Sequence, residues 1–359
     1  MGKSQRAACW RSLIGANLTW LKSRIEKFWM ELIPASTDIT YFANARTGLK
    51  YSLLNRGMSA GDKILVPDFI CDSIIHPLLQ LKITPIFYPT LESLSPDWDA
   101  LNSLVNQSSC RAIFMVHYFG QPQDIERFAS FCSRHNLLLI EDNSHGYGGG
   151  YEGRPLGSFG DIGFSSPRKF LGIPSGGVLQ EAGTLPDETL RKLKPFPVFW
   201  PKPIVKTILS LCHPALRFIR AWADRNKDWG DPFLYQESLQ PDYAIDSFSR
   251  WRIQTADWHG IATRRRKNWA AWDAYARCKG LQPVFSKVYP ESCPWALPVY
   301  TRDISERNFW LVWGAKNKVS LFPWPALSKE IVLQDGDALA RWKVFLCFPL
   351  DLSPEALGL

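Results

Sequence analysis

Apolar runs and helical periodicities alternate along the chain from about residue 36 to residue 180. Lys63-Ile-Leu-Val-Pro67 follows the turn signal Gly61-Asp62, and the runs Ile83–Tyr88, Ala112–Val116 and Leu137–Ile140 come after it without polar alternation. Continuous apolar runs of this length suit strands covered on both faces, as in a parallel sheet. Between the last two, Pro122–His135 sets Ile125, Phe128, Phe131 and Cys132 at helical spacing, with Asp124 and Glu126 where a first turn favours negative charge. Strand, amphipathic helix and strand make a βαβ unit. Strand-like segments continue at Ile162–Ser165 and Gly177–Gln180. The pattern predicts an α/β fold with a mainly parallel central sheet flanked by helices.

Outside this stretch the pattern changes. Residues 1–35 read as an N-terminal helical arm rich in Trp, Leu and basic residues, ending near Pro34. Residues 36–245 form the large α/β domain, with an irregular and helical excursion over 184–240. Within it, residues 196–224 mix aromatic and basic positions. They suit either packing on the domain or at a dimer interface, or weak contact with a membrane surface. A basic helix over Ser247–Tyr275 opens a smaller C-terminal α/β domain covering 246–359.

The 359 residues exceed the size at which one core usually stops growing, which agrees with a large and a small domain. A hydrophobic fraction of 46% against 21% charged residues excludes disorder as the general state. The net charge of +8 favours anionic partners, but the basic residues are scattered apart from Arg264-Arg265-Arg266-Lys267. With no zinc-finger spacing and no aromatic-basic RNA motif, no nucleic acid partner is expected. Eight widely spaced cysteines without a C-x-x-C pair fit reduced thiols of a cytoplasmic protein. No apolar stretch approaches the ~18 uninterrupted residues of a membrane span, and the histidines show no metal-ligand spacing.

In open α/β sheets ligands gather at the carboxyl ends of the strands, so the polar residues that follow the apolar runs are the candidates. The strand over Leu137–Ile140 runs into Glu141-Asp142-Asn-Ser-His145. A buried carboxylate there requires a positive partner or hydrogen bonds; a protonated cofactor ring, a metal or helix capping would each satisfy it. Lys169 lies in a turn between two strands, beside Pro167, Phe170, Leu171 and Arg168. An apolar setting and an adjacent cation lower a lysine pKa, as nucleophilic attachment requires, although a solvated lysine would look the same. Gly176-Gly177 allows close backbone approach or φ > 0. Asn44-Ala-Arg46-Thr47 opens a helix whose free N–H groups suit a phosphate, or simply places Asn44 as its cap. His117 ends another buried strand and could serve either structure or a site.

Taken together, Gly61–Pro67, Val116-His-Tyr-Phe-Gly-Gln-Pro122, Glu141-Asp142, Gly157-Ser-Phe-Gly-Asp161 and Lys169…Gly176-Gly177 resemble the DegT-type nucleotide-sugar aminotransferases in order and wording over roughly residues 40–180. The resemblance implies a fold-type-I pyridoxal 5'-phosphate (PLP) enzyme acting as a homodimer, with the active site at the subunit interface. It implies Lys169 as the lysine that carries the cofactor and Asp142 as partner of the pyridinium nitrogen. Arg46 and Thr47 fall on the phosphate-binding turn, and Ser165 near the phosphate. The sequence departs from the family at His145, where Gln is usual, and at Cys71, where an aromatic ring normally covers the cofactor and Phe69 is the available substitute. The segment from Asp161 to the lysine is also short.

The expected activity is transfer of an amino group from an amino acid, glutamate being the expected donor, to an anionic keto-sugar. That sugar would be a nucleotide sugar for surface glycan or secondary-metabolite synthesis. A non-catalytic regulatory or binding member of the same fold, or a PLP enzyme of another reaction type, remains an alternative.

Overall fold

The computed structural model describes residues 39–181, 185–197, 230–233, 239, 241–324 and 326–359. The expected N-terminal arm (1–35) and most of the 184–240 excursion, including its membrane-surface helix, lie outside the described residues.

In chain order the first part runs β1 (Ile39–Phe42), α1 (Ala45–Asn55), β2 (Lys63–Pro67), α2 (Ile75–Gln80), β3 (Thr84–Tyr88), α3 (Trp98–Gln107), β4 (Ala112–Val116), α4 (Ile125–His135) and β5 (Leu138–Asn143). A small hairpin, β6 (Gly150–Tyr151) and β7 (Arg154–Pro155), then leads to β8 (Ile162–Ser165), α5 (Arg168–Leu171) and β9 (Gly177–Glu181). Seven strands form one sheet in the order β1-β9-β8-β5-β4-β2-β3. From β3 to β8 the neighbours are parallel, whereas β9 and β1 close the edge antiparallel. The sheet is therefore mainly parallel, and its two faces are covered by separate hydrophobic clusters.

Caps explain where the helices start. Asp124 accepts from the Arg127 amide and begins α4 at Ile125, leaving Pro122 and Gln123 in the connection. Asp97 caps α3 in the same way. Strand β5 is longer than its apolar run, because Glu141, Asp142 and Asn143 all find partners that let polar side chains stay in a buried strand. Lys169 lies not in a simple turn but on the one-turn helix α5, which ends at Gly172 with φ 63°.

After the short helix α6 (Asp187–Arg191), the second part contains α7 (Ser247–Thr255), α8 (Trp258–Cys278), β10 (Gln282–Pro283), β11 (Ala296–Tyr300), α9 (Ile304–Asn317), β12 (Phe322–Pro323), α10 (Lys329–Gln334), α11 (Asp337–Val344) and β13 (Phe345–Pro349). The single helix expected over Ser247–Tyr275 is two: Asp257 turns the chain and caps α8 through the Gly260 amide. Four strands form an antiparallel sheet in the order β10-β11-β13-β12. Its apolar residues join those of one face of the large sheet in a continuous core, which includes Phe69, Trp324, Trp342 and Phe345. Arg341 on α11 fastens the two sheets: its Nη1 donates to Thr90 Oγ1 (2.6 Å) and its Nη2 to the Thr90 carbonyl (2.5 Å), just past β3. Thr90 in turn donates through its amide and hydroxyl to Asp68, which follows β2.

Candidate active site

At the carboxyl edge of the large sheet, the start of α1, the end of β4 and the connections after β2, β5 and β8 enclose a hollow with ≈ 610 Å³ of space between protein atoms, its open mouth included. Asn44 and Arg46 line it from α1, Cys71 and Ser73 from the loop after β2, and Asp142 and His145 from the end of β5. Ser166, Arg168 and Lys169 complete it from the turn after β8, and Trp324 reaches it from the second sheet. Three of the four segments expected to carry chemistry thus converge. The fourth, His117, is fully buried and serves structure.

His117 Nδ1 accepts from the Gln123 amide (3.1 Å), so in the neutral ring the proton sits on Nε2 and is donated to Glu141 Oε1 (2.8 Å). Glu141 also accepts from the amides of Gly157 (2.6 Å), Phe159 (2.6 Å) and Gly160 (2.9 Å). Burial pushes its carboxyl upward, but His117 and the Gly157 and Gly160 amides outweigh burial and hold it below the usual carboxylate range. Successive residues of a strand point to opposite faces. With Glu141 fixing the Gly157–Gly160 loop, Asp142 is turned into the hollow. Asp142 is 5% exposed and accepts from the Ser144 amide (2.8 Å). Burial raises its carboxyl pKa, and Ser144 and Lys169 only partly oppose this. Among the described residues it has no ion-pair partner within 4.0 Å.

The helix opening is set by Asn44, whose Oδ1 accepts from both the amide and the hydroxyl of Thr47, each at 3.0 Å. Thr47 is consequently buried behind the cap and does not line the hollow, whereas Arg46 does. Strand β9 approaches this corner so closely that a Cβ on Gly177 would lie 2.1 Å from the Asn44 carbonyl carbon. Gly176 adopts φ 152° and donates its amide to the Ala43 carbonyl (2.8 Å). Both properties anticipated for the glycine pair are present. Ser165 is also set back from the hollow: it is the last residue of β8, and its hydroxyl accepts from Asn143 Nδ2 (3.3 Å). Ser166, one residue later, takes the place in the wall.

Aromatic rings back the site. Phe69 is fully buried and packs on Trp324 (4.9 Å between ring centres) and Phe345 (5.1 Å), facing the core. It does not line the hollow, so it is no substitute for the ring missing at Cys71. His145 stacks on Trp295 at 4.5 Å and 27° and lies 5.4 Å from Phe119, which holds a left-handed φ of 56°. Burial, with Lys169 adding to it, holds the His145 imidazole well below its ordinary pKa and hence neutral near pH 7. The Lys169 ammonium stands 4.6 Å from the centre of the same Trp295 ring. Trp295, Ser166 and Ser73 were not distinguishable in the sequence. Trp295 carries no local motif and is brought in by long-range contacts, its amide donating to the Phe119 carbonyl and its carbonyl accepting from Arg265.

Residues 24–195 match the DegT/DnrJ/EryC1/StrS aminotransferase family. The match covers just under half of the chain's 359 residues. The DegT/DnrJ/EryC1/StrS family consists of PLP-dependent aminotransferases. The chain is 30% identical over 152 residues to GDP-perosamine synthase of Escherichia coli O157:H7, covering 40% of this chain and 41% of that protein. It is 31% identical over 128 residues to L-glutamine:scyllo-inosose aminotransferase of Streptomyces griseus, covering 34% and 30%. The chain thus spans about two fifths or less of the length of these curated relatives. Its fold is like that of the Helicobacter pylori PseC aminotransferase involved in pseudoaminic acid biosynthesis (TM-score 0.66, 16% identity, 94% of this chain and 88% of that one). It is also like a DegT DnrJ EryC1 StrS aminotransferase from Brucella abortus (TM-score 0.63, 14% identity, 99% and 95%).

The residues in the hollow fit the family's cofactor. A buried carboxylate with no ion-pair partner within 4.0 Å among the described residues suits a protonated ring nitrogen, Lys169 offers a primary amine in the same hollow, and Arg46, Arg168 and Ser166 offer donors to a phosphate. Among the described residues no group of three or more His, Cys, Asp or Glu is arranged to hold a metal ion, and no helix is long and apolar enough to cross a membrane.

Proposed function

We propose that the protein is a PLP-dependent aminotransferase. It moves an amino group from an amino acid, with glutamate as donor, to the keto group of an anionic sugar. The acceptor is a nucleotide sugar for surface glycan or secondary-metabolite synthesis, and the enzyme works as a cytoplasmic homodimer. One observation carries the reading: Lys169 and Asp142 come from different connections of the sheet and line one hollow.

Bound there, PLP would supply an electron sink for charge developing at the donor's α-carbon. Lys169 would hold the group through Nζ, and the same nitrogen, once released, would move protons at the donor α-carbon and at the acceptor carbon. Asp142 would keep a ring nitrogen protonated. Neutral His145 accepts or donates a hydrogen bond without adding charge, and Arg46 and Arg168 draw phosphate and anionic substrate. Thr47 and Ser165 act one step back, by fixing Asn44 and Asn143.

The test is to add PLP to the purified protein, reduce with borohydride and map the peptides. A pyridoxyl label on Lys169, together with ¹⁵N passing from glutamate to a keto-sugar, supports the proposal. No PLP uptake, or label confined to another lysine, overturns it.

A further inference from the structure

Trp295 lies outside the wall of the hollow, yet its ring meets two residues that form it. The ring carries the Lys169 ammonium at 4.6 Å and the His145 imidazole, nearly parallel, at 4.5 Å. The residue is itself anchored at both backbone ends: its amide donates to the Phe119 carbonyl (3.2 Å) and its carbonyl accepts from Arg265 Nη1 (2.9 Å). Arg265 also stands over the ring of Phe170, which follows Lys169 (5.0 Å). A second aromatic contact, Phe322 at 5.0 Å, fixes the indole from the β12 side.

An indole face attracts an ammonium and has no comparable attraction for the neutral amine. Held as it is, Trp295 offers Lys169 a seat when the amine is charged and not covalently engaged. It also presents His145 to the hollow from the same surface. We infer that Trp295 is a positioning residue of the amine-transfer site: it seats the unattached Lys169 ammonium and sets the pH at which that nitrogen becomes a free nucleophile. The inference rests on Lys169 being the functional amine. Through Trp295 the second sheet, and not only the strands that carry the lysine, controls the amine.

The charged and titratable groups around Lys169 among the described residues act in both directions. Asp142 favours the ammonium, the like-charged guanidinium groups of Arg168 and Arg46 line the same hollow, as does Cys71, and neutral His145 adds no charge. Removing the indole therefore shifts a balance that the other groups leave in place.

Competitive acetylation of the full-length protein prepared without cofactor, followed by peptide mapping across a pH series, reads the midpoint at which Lys169 becomes reactive. Trp295→Met should move that midpoint down by roughly 0.5–1 pH unit, and Trp295→Phe by a smaller amount in the same direction. Covalent PLP uptake should show the same shift in its pH profile. If Trp295→Met fails to fold, as a thermal melt would reveal, the Phe variant decides alone. A midpoint equal to the parent's in a folded variant overturns the inference. The acetylation needs no cofactor, so its outcome is separate from whether PLP attaches at Lys169.

Discussion

Glu141 and Asp142 are consecutive on one strand and serve opposite faces of it. Glu141 binds His117 and three amides of the Gly157–Gly160 loop, while Asp142 enters the hollow opposite Lys169. The first stabilises the position of the second, and the two carboxylates should respond to neutralisation in opposite ways.

Asp142→Asn should lower kcat by on the order of 10²–10³-fold, the usual effect of removing one aimed charge from an active site. In protein without cofactor the same change should raise Tm at neutral pH, because burial disfavours the carboxylate there. For an acid raised in the folded state, the penalty is absent below the unfolded carboxyl pKa and complete above the folded one. The gain in Tm should accordingly shrink as pH falls toward 4. A lower Tm for Asp142→Asn at pH 7 would contradict this.

Glu141→Gln should destabilise the fold by about 2–4 kcal/mol at pH 7, measured by denaturant unfolding. Here the folded pKa is depressed, so the carboxylate's contribution is present above the unfolded pKa and is lost as pH falls through the folded one. The difference between variant and parent should disappear on acidification.

His145→Gln should leave the acidic limb of the pH–rate profile where it is. The imidazole is already neutral throughout the working range, and its ring signals in NMR should show no titration between about pH 6 and 8. A buried neutral histidine costs stability as pH drops below its unfolded pKa, so the parent should lose Tm between about pH 6.5 and 5 faster than the variant.

Gly177→Ala should be damaging although it adds one methyl group. The new carbon would meet backbone, not a side chain that can rotate away, so a loss of about 3 kcal/mol and weakened PLP binding are expected. Equilibrium dialysis with PLP and a thermal melt would check both.

Much of this architecture is legible in the sequence. Lys63–Pro67, Ala112–Val116 and Ile162–Ser165 are strands over the residues expected, because buried parallel strands leave continuous apolar runs. The convergence of Arg46, Asp142, His145 and Lys169 followed from their place after such runs. Thr47 and Ser165 were anticipated in the wall and stand behind it. Whether a hydroxyl faces a ligand or its own backbone neighbours depends on one capping bond or one step of strand alternation, which residue type does not encode. Trp295 was illegible for another reason: it is held beside Lys169 by bonds to Phe119 and Arg265, contacts between segments far apart in the chain.

Ser165 pairs with Val178 across β8 and β9, so the segment bearing Lys169 is clamped at both stems. Such a short closed span leaves the amine little room to travel, and lengthening it would trade aim for slack. Room for different acceptors is more readily made in the walls that lie outside this span, at Cys71 and Ser73.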